Sequence, residues 1–305
     1  MGPLLFLLYI NDIGSIPDLN TKPKLFADDT NVFVHSSDMH DLNTKCQLTI
    51  NRLFDWLLAN RLSINYVKTS YMLFSPSRSM RSSFDLTLSL NNNKISRVTT
   101  AKFLGITIDE NLDWTPHIND LCLMLRKYVG VFYKLSFKLP QNILRMLYFA
   151  IVYPHLLYGI ELYANTFETY LHDLVTLNNR ILRILQHKPI HTTLPSLYYT
   201  YCTLPINKLF QFQLLLHTHN IYYSSDKLPS IVLVDRILNH SIHCRNTRTS
   251  LDFHRTLPNS NIGCKAVIST LGARLWNSLP LTLKSIDDFN QFKNKLKEFL
   301  YVNEI

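Results

Sequence analysis

Residues 24–34 have the sequence KLFADDTNVFV, in which two adjacent carboxylates lie between two short apolar runs. The runs at residues 25–27 and 32–34 consist of residue types that favour β-strands. The residues between them, Asp28 to Asn31, are turn formers, so the pattern predicts a tight hairpin with both carboxylates at its tip. An Asp-Asp pair in a loop is most often a solvated turn. The flanking sequence has to decide whether this pair is such a turn or a functional site.

The aspartate pair has the chemistry of a metal site. Carboxylate oxygens suit hard divalent cations such as Mg²⁺ or Mn²⁺, which usually keep several of their waters. Nucleotidyl transfer uses two such ions about 3.5–4 Å apart, one at the attacking hydroxyl and one at the leaving pyrophosphate. Two ions at that distance need at least one more carboxylate from a neighbouring strand. Asp28 and Asp29 therefore supply only part of such a site.

Several motifs around the aspartates occur in an order that resembles the reverse transcriptase of non-LTR (LINE-type, jockey-like) retrotransposons. GPLLFLLYINDI at residues 2–13 resembles the end of the template-positioning motif and the helix after it. FADD at residues 26–29 resembles the catalytic hairpin. LSIN at residues 62–65, preceded by Trp56 and Asn60, resembles the start of the next motif.

Further elements extend this resemblance over most of the chain. Lys68-Thr69 matches the point where the family has a lysine near the triphosphate, and FLGI at residues 103–106 resembles the segment that supports the primer terminus. DENLDW at 109–114, followed by His117-Ile118, continues the pattern into the thumb. NTR at 246–248 and GARLWNSLP at 272–280 resemble recurring elements of the C-terminal region.

The resemblance implies an α+β fold. It would consist of an incomplete right-hand polymerase palm, which is an antiparallel sheet with packed helices, followed by a mainly helical thumb and C-terminal region. The implied boundaries are residues 1–112 for the partial palm, 113–200 for the thumb-like region and 201–305 for the mostly helical C-terminal region.

The resemblance also implies roles for individual residues. Asp28 and Asp29 would be catalytic carboxylates and ligands of Mg²⁺ or Mn²⁺. Lys68 would be the general acid for the leaving pyrophosphate or a charge that stabilises it. The alternative for Lys68 is a solvated lysine in a loop. The implied partners are an RNA template and a DNA primer duplex.

The chain departs from the family at its beginning. The family's first catalytic aspartate lies on a strand well before the Gly-Pro element, whereas this chain begins at Met1-Gly2-Pro3, and Asp12 matches a different family position. We therefore expect upstream retroelement domains to be missing and the chain alone not to polymerise. Three functions stay open: a reverse transcriptase fragment, a non-catalytic nucleic-acid-binding remnant, or a non-functional relic.

Composition sets broad limits on these functions. The chain has 305 residues, 47% of them hydrophobic, so it can bury a sizeable core. A net charge of +9 suits a polyanionic partner. The five cysteines have no paired spacing, which favours a reducing compartment, in the nucleus or the cytoplasm. No stretch reaches the ~20 apolar residues of a membrane span, so we expect no membrane partner.

Periodicity predicts the main helices and strands. Helices are expected over residues 41–60, from about 113 onward, over 171–185 and after Ser285, which we expect to cap the last one. That last helix is expected to dock on Leu275, Trp276 and Leu279. Short strands are expected at residues 71–74, 86–90, 95–98 and 103–108, with a turn at Asn91-Asn92-Asn93 and a loop at 75–83. Pro154 is expected to break a helical run.

Two further patterns leave alternatives open. Lys127, Lys134 and Lys138 recur on one face of the helix after residue 113, which predicts either a face that follows a duplex backbone or an ordinary solvated face. A group of dispersed His and Cys residues invites a zinc interpretation, which we disfavour because the spacings match no common ligand arrangement. The group comprises His217, His219, His240, His243, Cys244, His254 and Cys264.

Overall fold

The computed structural model describes residues 2–15, 22–75, 84–223, 252–254 and 267–302. The chain forms two compact units, residues 1–101 and 102–305, and the division falls inside a short strand. The described residues combine helices with four two-stranded sheets, which confirms the α+β class. Within these ranges, no helix has both the length and the apolar character that crossing a membrane requires.

The described part of the first unit contains two α-helices of different character. α1, Gly2–Ile10, is apolar, and its four leucines are between 50% and 66% exposed. α2, Met39–Ala59, is amphipathic and confirms the helix that periodicity predicts over 41–60. It begins after Asp38, because the Asp38 carboxylate accepts a hydrogen bond from the Asp41 N–H at 2.8 Å.

The described first unit also contains short strands. β1, Lys22–Phe26, pairs antiparallel with β2, Asp29–Phe33. The four strands that follow have two residues each: β3 Ser70–Tyr71, β4 Ser89–Leu90, β5 Asn93–Lys94 and β6 Ser96–Arg97. β3 pairs parallel with β6, and β4 pairs antiparallel with β5. Except for Ser75, the predicted loop at 75–83 lies outside the described residues.

The strand predicted over residues 86–90 is shorter than expected, because its backbone bonds to side chains of α2. The Thr87 N–H donates to Asn43 Oδ1 at 2.8 Å, and the Ser89 N–H donates to Gln47 Oε1 at 3.0 Å. The strand predicted over 71–74 likewise keeps only its first residue.

The hairpin predicted at the asparagine turn is confirmed. Asn91 and Asn92 have φ angles of 47° and 63°, as a two-residue type I′ turn requires, and asparagine tolerates this left-handed conformation. Asn93 belongs to the following strand rather than to the turn.

Helices dominate the second unit. It begins with a hairpin of β7, Thr100–Phe103, and β8, Ile106–Asp109. The described helices are α3 Thr115–Ser136, α4 Gln141–Leu147, α5 Tyr153–Leu157, α6 Ile160–Tyr163, α7 Glu168–Leu185, α8 Leu194–Tyr201, α9 Ile206–Tyr223, α10 Ala273–Ser278, α11 Leu281–Lys284 and α12 Phe289–Val302. The helix predicted from about residue 113 is confirmed as α3, whose buried residues include Ile118, Leu121, Leu125 and Phe132. The predicted helix over 171–185 is confirmed as α7.

The long helices α3 and α7 pack against each other in parallel. Just before their N-terminal ends, the Thr166 hydroxyl donates to the Asp113 carbonyl at 2.8 Å. Just after their C-terminal ends, the ring centroids of Phe137 and His187 lie 5.9 Å apart. Both pairs of equivalent ends therefore meet, and the chain has to return along the length of α3 before α7 begins.

The prediction that Pro154 breaks this returning segment is wrong. A π-helical turn, Tyr148–Val152, continues directly into α5, and Pro154 lies in the first turn of α5. A helix accommodates an interior proline by a local change of its geometry, and the π-helical turn directly before Pro154 is such a change. The helical run ends instead at Tyr158 and Gly159, where Gly159 has a φ of 67°.

The C-terminal helix α12 packs on α9 and completes the core of the second unit. Trp276 and Phe292 are fully buried with ring centroids 5.9 Å apart, so the predicted contact with Trp276 is confirmed. Ser285 is not the helix cap, contrary to the prediction. Asp288 caps α12, since its carboxylate accepts a hydrogen bond from the Gln291 N–H at 2.6 Å.

Candidate functional site

The hairpin that carries the two aspartates is tighter than the sequence predicts. Phe26 on β1 pairs with Asp29 on β2, so only Ala27 and Asp28 form the turn. The longer predicted turn is wrong because residues 29–31 all pair with β1. Ala27 has a φ of 51°, in the left-handed region that favours glycine, so the turn holds a strained backbone beside the first carboxylate.

Both carboxylates of the hairpin are solvent-exposed. Within the ranges that the structure describes, neither has a hydrogen-bond or ion-pair partner. Carboxylate oxygens are of the type that a hard divalent cation prefers, and such an ion usually keeps several waters. A second ion would need more ligands, and the described part of the chain brings together no group of three or more His, Cys, Asp or Glu residues able to hold a metal.

Lys68 lies on an exposed turn that Asn65 stabilises. The Lys68 N–H donates to the side-chain and main-chain oxygens of Asn65, both at 3.2 Å. The Thr69 hydroxyl donates to the Asn65 carbonyl at 2.9 Å. Among the described contacts, none joins the Lys68 ammonium to Asp28 or Asp29. The structure therefore does not bring the three predicted site residues into contact.

The motif residues before Lys68 have structural roles. The Asn60 side chain donates to the Trp56 carbonyl at 2.9 Å and ends α2. The Tyr9 hydroxyl donates to the Asn60 carbonyl and ties α1 to this point. Two segments that the resemblance selects, residues 2–13 and 56–65, are thus connected through one asparagine.

The FLGI segment in the second unit forms a turn rather than a continuous strand, so the strand predicted over residues 103–108 is wrong. Leu104 and Gly105 have φ angles of 47° and 84° and connect β7 to β8. Glycine accepts this conformation without strain, whereas Leu104 does not. The only sign of this turn in the sequence is Gly105.

Two residues at the junction between α5 and α6, which the sequence did not single out, hold this turn. The Tyr158 hydroxyl donates to the Leu104 carbonyl, and its ring occupies the space beside Gly105. A Cβ atom on Gly159 would lie 2.4 Å from Cδ1 of Ile106, so any other residue would have to displace the Ile106 side chain and adopt a strained positive φ. Tyr158 and Gly159 therefore fix the FLGI turn from a point more than fifty residues away.

The far end of the same hairpin is attached to α3. Asp109 is buried, and its carboxylate accepts the N–H groups of Asn111 at 2.9 Å and Trp114 at 3.0 Å. The Thr107 N–H donates to His117 Nδ1 at 3.3 Å. Burial lowers the pKa of His117, which suits an imidazole that accepts this hydrogen bond in its neutral form.

Two histidines of the zinc candidates contact other groups of the second unit. His219 is buried and stacked on Phe292, and its Nε2 lies 2.8 Å from the Ile286 carbonyl. His217 Nε2 lies 3.1 Å from Glu161 Oε1. Of the other candidate ligands, His254 is half-buried, whereas His240, His243, Cys244 and Cys264 lie outside the described residues, as does the motif at 246–248.

Curated proteins similar to this chain include polymerases of insect mobile elements. The probable RNA-directed DNA polymerase from transposon X-element of Drosophila melanogaster is 25% identical over 192 residues, which cover 61% of this chain and 21% of that protein. The RNA-directed DNA polymerase from mobile element jockey of the same species is 24% identical over 201 residues, which cover 62% of this chain and 21% of that protein. The jockey polymerase of Drosophila funebris is 24% identical over 204 residues.

These comparisons agree with the resemblance that the motifs carry. No family model matches the chain. No solved structure matches it either. The chain spans about a fifth of the length of the curated relatives it matches. Over three fifths of its own length, the chain is similar to RNA-directed DNA polymerases of non-LTR retrotransposons.

Proposed function

We propose that the chain is part of an RNA-directed DNA polymerase of a non-LTR retrotransposon, which acts on an RNA template and a DNA primer. Residues 1–112 would belong to the palm, 113–200 to the thumb and 201–305 to the C-terminal region. The order of the motifs and the similarity to the X-element and jockey polymerases support this assignment.

The observation that carries the proposal is the aspartate hairpin. Asp28 in the turn and Asp29 at the start of β2 are adjacent, exposed and without described partners, so their oxygens are accessible to a hard cation. When Mg²⁺ or Mn²⁺ is bound, it supplies neutralisation of phosphate charge. The role of this chain is to hold one carboxylate in a two-residue turn and the next at the start of β2, where the strand pairing fixes the backbone.

Lys68 and the FLGI turn have supporting roles in this proposal. The Lys68 ammonium would stabilise the negative charge of the leaving pyrophosphate, and its exposure leaves it accessible to an incoming nucleotide. The Leu104–Gly105 turn would support the primer terminus. Tyr158 and Gly159 would act as positioning residues, because they fix that turn without themselves being part of it.

The two carboxylates do not suffice for a two-ion site. Two ions about 3.5–4 Å apart need a bridging carboxylate in addition to the pair. The described residues supply no such third group, so we propose that the remaining ligand comes from outside them and that this chain alone does not extend a primer.

Mn²⁺ binding tests the role of the hairpin without requiring activity. Purified full chain should bind Mn²⁺ weakly, as measured by electron paramagnetic resonance of the free ion, and Asp28→Asn should reduce this binding at least severalfold. Asp55→Asn is a matched control, because Asp55 is an exposed carboxylate on α2 of the same unit. Equal binding by all three proteins would contradict a metal site at the hairpin.

Primer extension on an RNA template tests separately whether this chain alone holds a complete polymerase site. We expect no extension by the chain with either Mg²⁺ or Mn²⁺. Extension that disappears in Asp28→Asn would support the polymerase assignment and overturn the proposal that the chain is incomplete. Extension that persists in Asp28→Asn would assign the activity to another source.

A further inference from the structure

Two long segments of the second unit contain no acidic residue. Residues 121–160 include five Lys or Arg residues and no Asp or Glu, and residues 174–223 include four and none. These nine basic residues match the whole formal net charge of the chain, +9. Charge in the rest of the chain is balanced, so the positive excess is concentrated in these segments.

The parallel packing of α3 and α7 brings part of this excess to one end of the helix pair. The first halves of the two helices hold acidic residues, among them Asp120 and Asp173. The lysines Lys134, Lys138 and Lys188 lie in the last turn of α3 or shortly after one of the helices ends. Since the C-terminal ends meet, the helix pair has one mixed end and one purely basic end.

The basic end also exposes aromatic rings. Tyr133 and Phe137 are 57% and 69% exposed, and their ring centroids lie 5.2 Å apart in an edge-to-face arrangement. The exposed His187 ring follows at 5.9 Å from Phe137. We name the set Tyr133, Lys134, Phe137, Lys138, His187 and Lys188 the aromatic-basic end.

The backbone fixes the position of His187. It follows α7 with a φ of 52°, and the next N–H, that of Lys188, donates back to the Arg183 carbonyl at 2.9 Å. This is the hydrogen bond of a Schellman motif, in which glycine is the usual residue at the left-handed position. A histidine there accepts conformational strain and places an aromatic ring beside Phe137.

Structural roles account for only part of this arrangement. Lysines at helix C-termini complement the helix dipole, which explains their positions but not the neighbouring rings. The rings remain largely in water, so they add little to the core. None of the three lysines forms an ion pair with a carboxylate of the described residues. Exposed rings among unpaired lysines are typical of surfaces that bind unpaired nucleotides.

We propose that the aromatic-basic end binds single-stranded nucleic acid. Bases would stack on Phe137 and its neighbours, and phosphates would contact the lysines. Bases of a duplex are already stacked inside it, so exposed rings favour a single strand over a duplex as the occupant. An anionic membrane is the less suitable partner, because an interfacial helix presents a broad apolar face rather than rings interleaved with lysines.

This inference goes beyond the proposed polymerase function and does not depend on it. The aspartate hairpin belongs to the first unit, and the aromatic-basic end belongs to the second. Asp28→Asn should therefore leave this binding unchanged. The proposal of metal binding at the hairpin and the proposal of strand binding at the aromatic-basic end can therefore fail independently of each other.

Fluorescence anisotropy with the full chain tests the stacking contact. The probes are a labelled single-stranded RNA, the same RNA paired with complementary DNA, and vesicles of phosphatidylcholine with phosphatidylserine. Phe137→Ala should weaken binding of the single strand about tenfold. Phe167→Ala is the matched control, because Phe167 is 59% exposed and packs edge-to-face with Tyr170 near the other end of α7.

The lysines are tested through salt dependence. The double variant Lys134→Gln/Lys138→Gln should lower the slope of log affinity against log salt by about 1.4, since each phosphate contact of a single strand contributes about 0.7. Thermal melts should match the parent chain, because the altered side chains are exposed. Equal losses in Phe137→Ala and Phe167→Ala, tighter binding to the duplex, or binding only to vesicles would overturn the proposal.

Discussion

The two units bury their apolar residues to different extents. The second unit has a continuous core in which large side chains such as Trp276, Tyr148 and Phe132 are almost completely buried. The first unit has a small cluster around α2, while Phe26 and Phe33 of the aspartate hairpin are 61% and 57% exposed. Isolated two-stranded hairpins are marginally stable. The candidate metal ligands therefore lie on the less stabilised unit, and the candidate strand-binding surface lies on the better stabilised one.

The largest expected effect comes from removing a central side chain of the second unit. Trp276→Ala should lower the free energy of unfolding by about 4 kcal/mol, because it leaves a cavity in a fully buried site. Phe26→Ala should change it by less than about 0.5 kcal/mol, since its ring is mostly in water. Urea unfolding followed by circular dichroism measures both. Similar losses in the two variants would contradict the difference between the units.

A smaller effect is expected from the glycine beside the FLGI turn. Gly159→Ala should destabilise the second unit by about 2–3 kcal/mol, because its positive φ strains alanine and the new Cβ would meet Ile106. Gly130→Ala should instead stabilise by about 0.5–1 kcal/mol, since Gly130 lies within α3 with open space around it. Thermal denaturation of the two variants should give shifts in Tm of opposite sign. Two shifts of the same sign would show that the turn is not held by this contact.

The smallest expected effect compares equivalent helix caps in the two units. Asp38→Ala and Asp288→Ala each remove a carboxylate that accepts an N–H at the start of a helix, and each should cost about 1 kcal/mol. Hydrogen exchange by mass spectrometry should show α2 losing most of its protection and α12 keeping most of it, because α2 packs on a smaller core. Equal protection of α2 and α12 from hydrogen exchange would contradict the proposed difference in stability between the two units.

Sequence periodicity predicted the long helices because each has a regular apolar face. The helices α2 and α3 lie within two residues of their predicted positions wherever an end is predicted, and α7 begins three residues before its predicted start. The sequence also predicts the aspartate hairpin, but it predicts a turn of four residues, Asp28 to Asn31, where the structure has a turn of two. Turn-forming residue types do not show where strand pairing stops, and at Asp29 the pairing with Phe26 prevails.

Contacts between distant residues could not be predicted in this way. Tyr158 and Gly159 hold the FLGI turn through a hydrogen bond and a close approach that no local pattern reveals. Ser285 and Asp288 are both suitable caps by type, and only the position of the first turn of α12 selects Asp288. The basic segments were visible in the sequence, but bringing them to one end required the parallel packing of α3 and α7.

That parallel packing also constrains how the second unit reaches its fold. Contacts between α3 and α7 join residues about fifty positions apart, such as Asp113 and Thr166 with a separation of 53. Antiparallel neighbours could form early as a local helical hairpin, but this pair cannot form until the segment between them has folded back over about 30 Å. The two helices should therefore associate late, and the intervening segment from α4 to α6 should set the refolding rate.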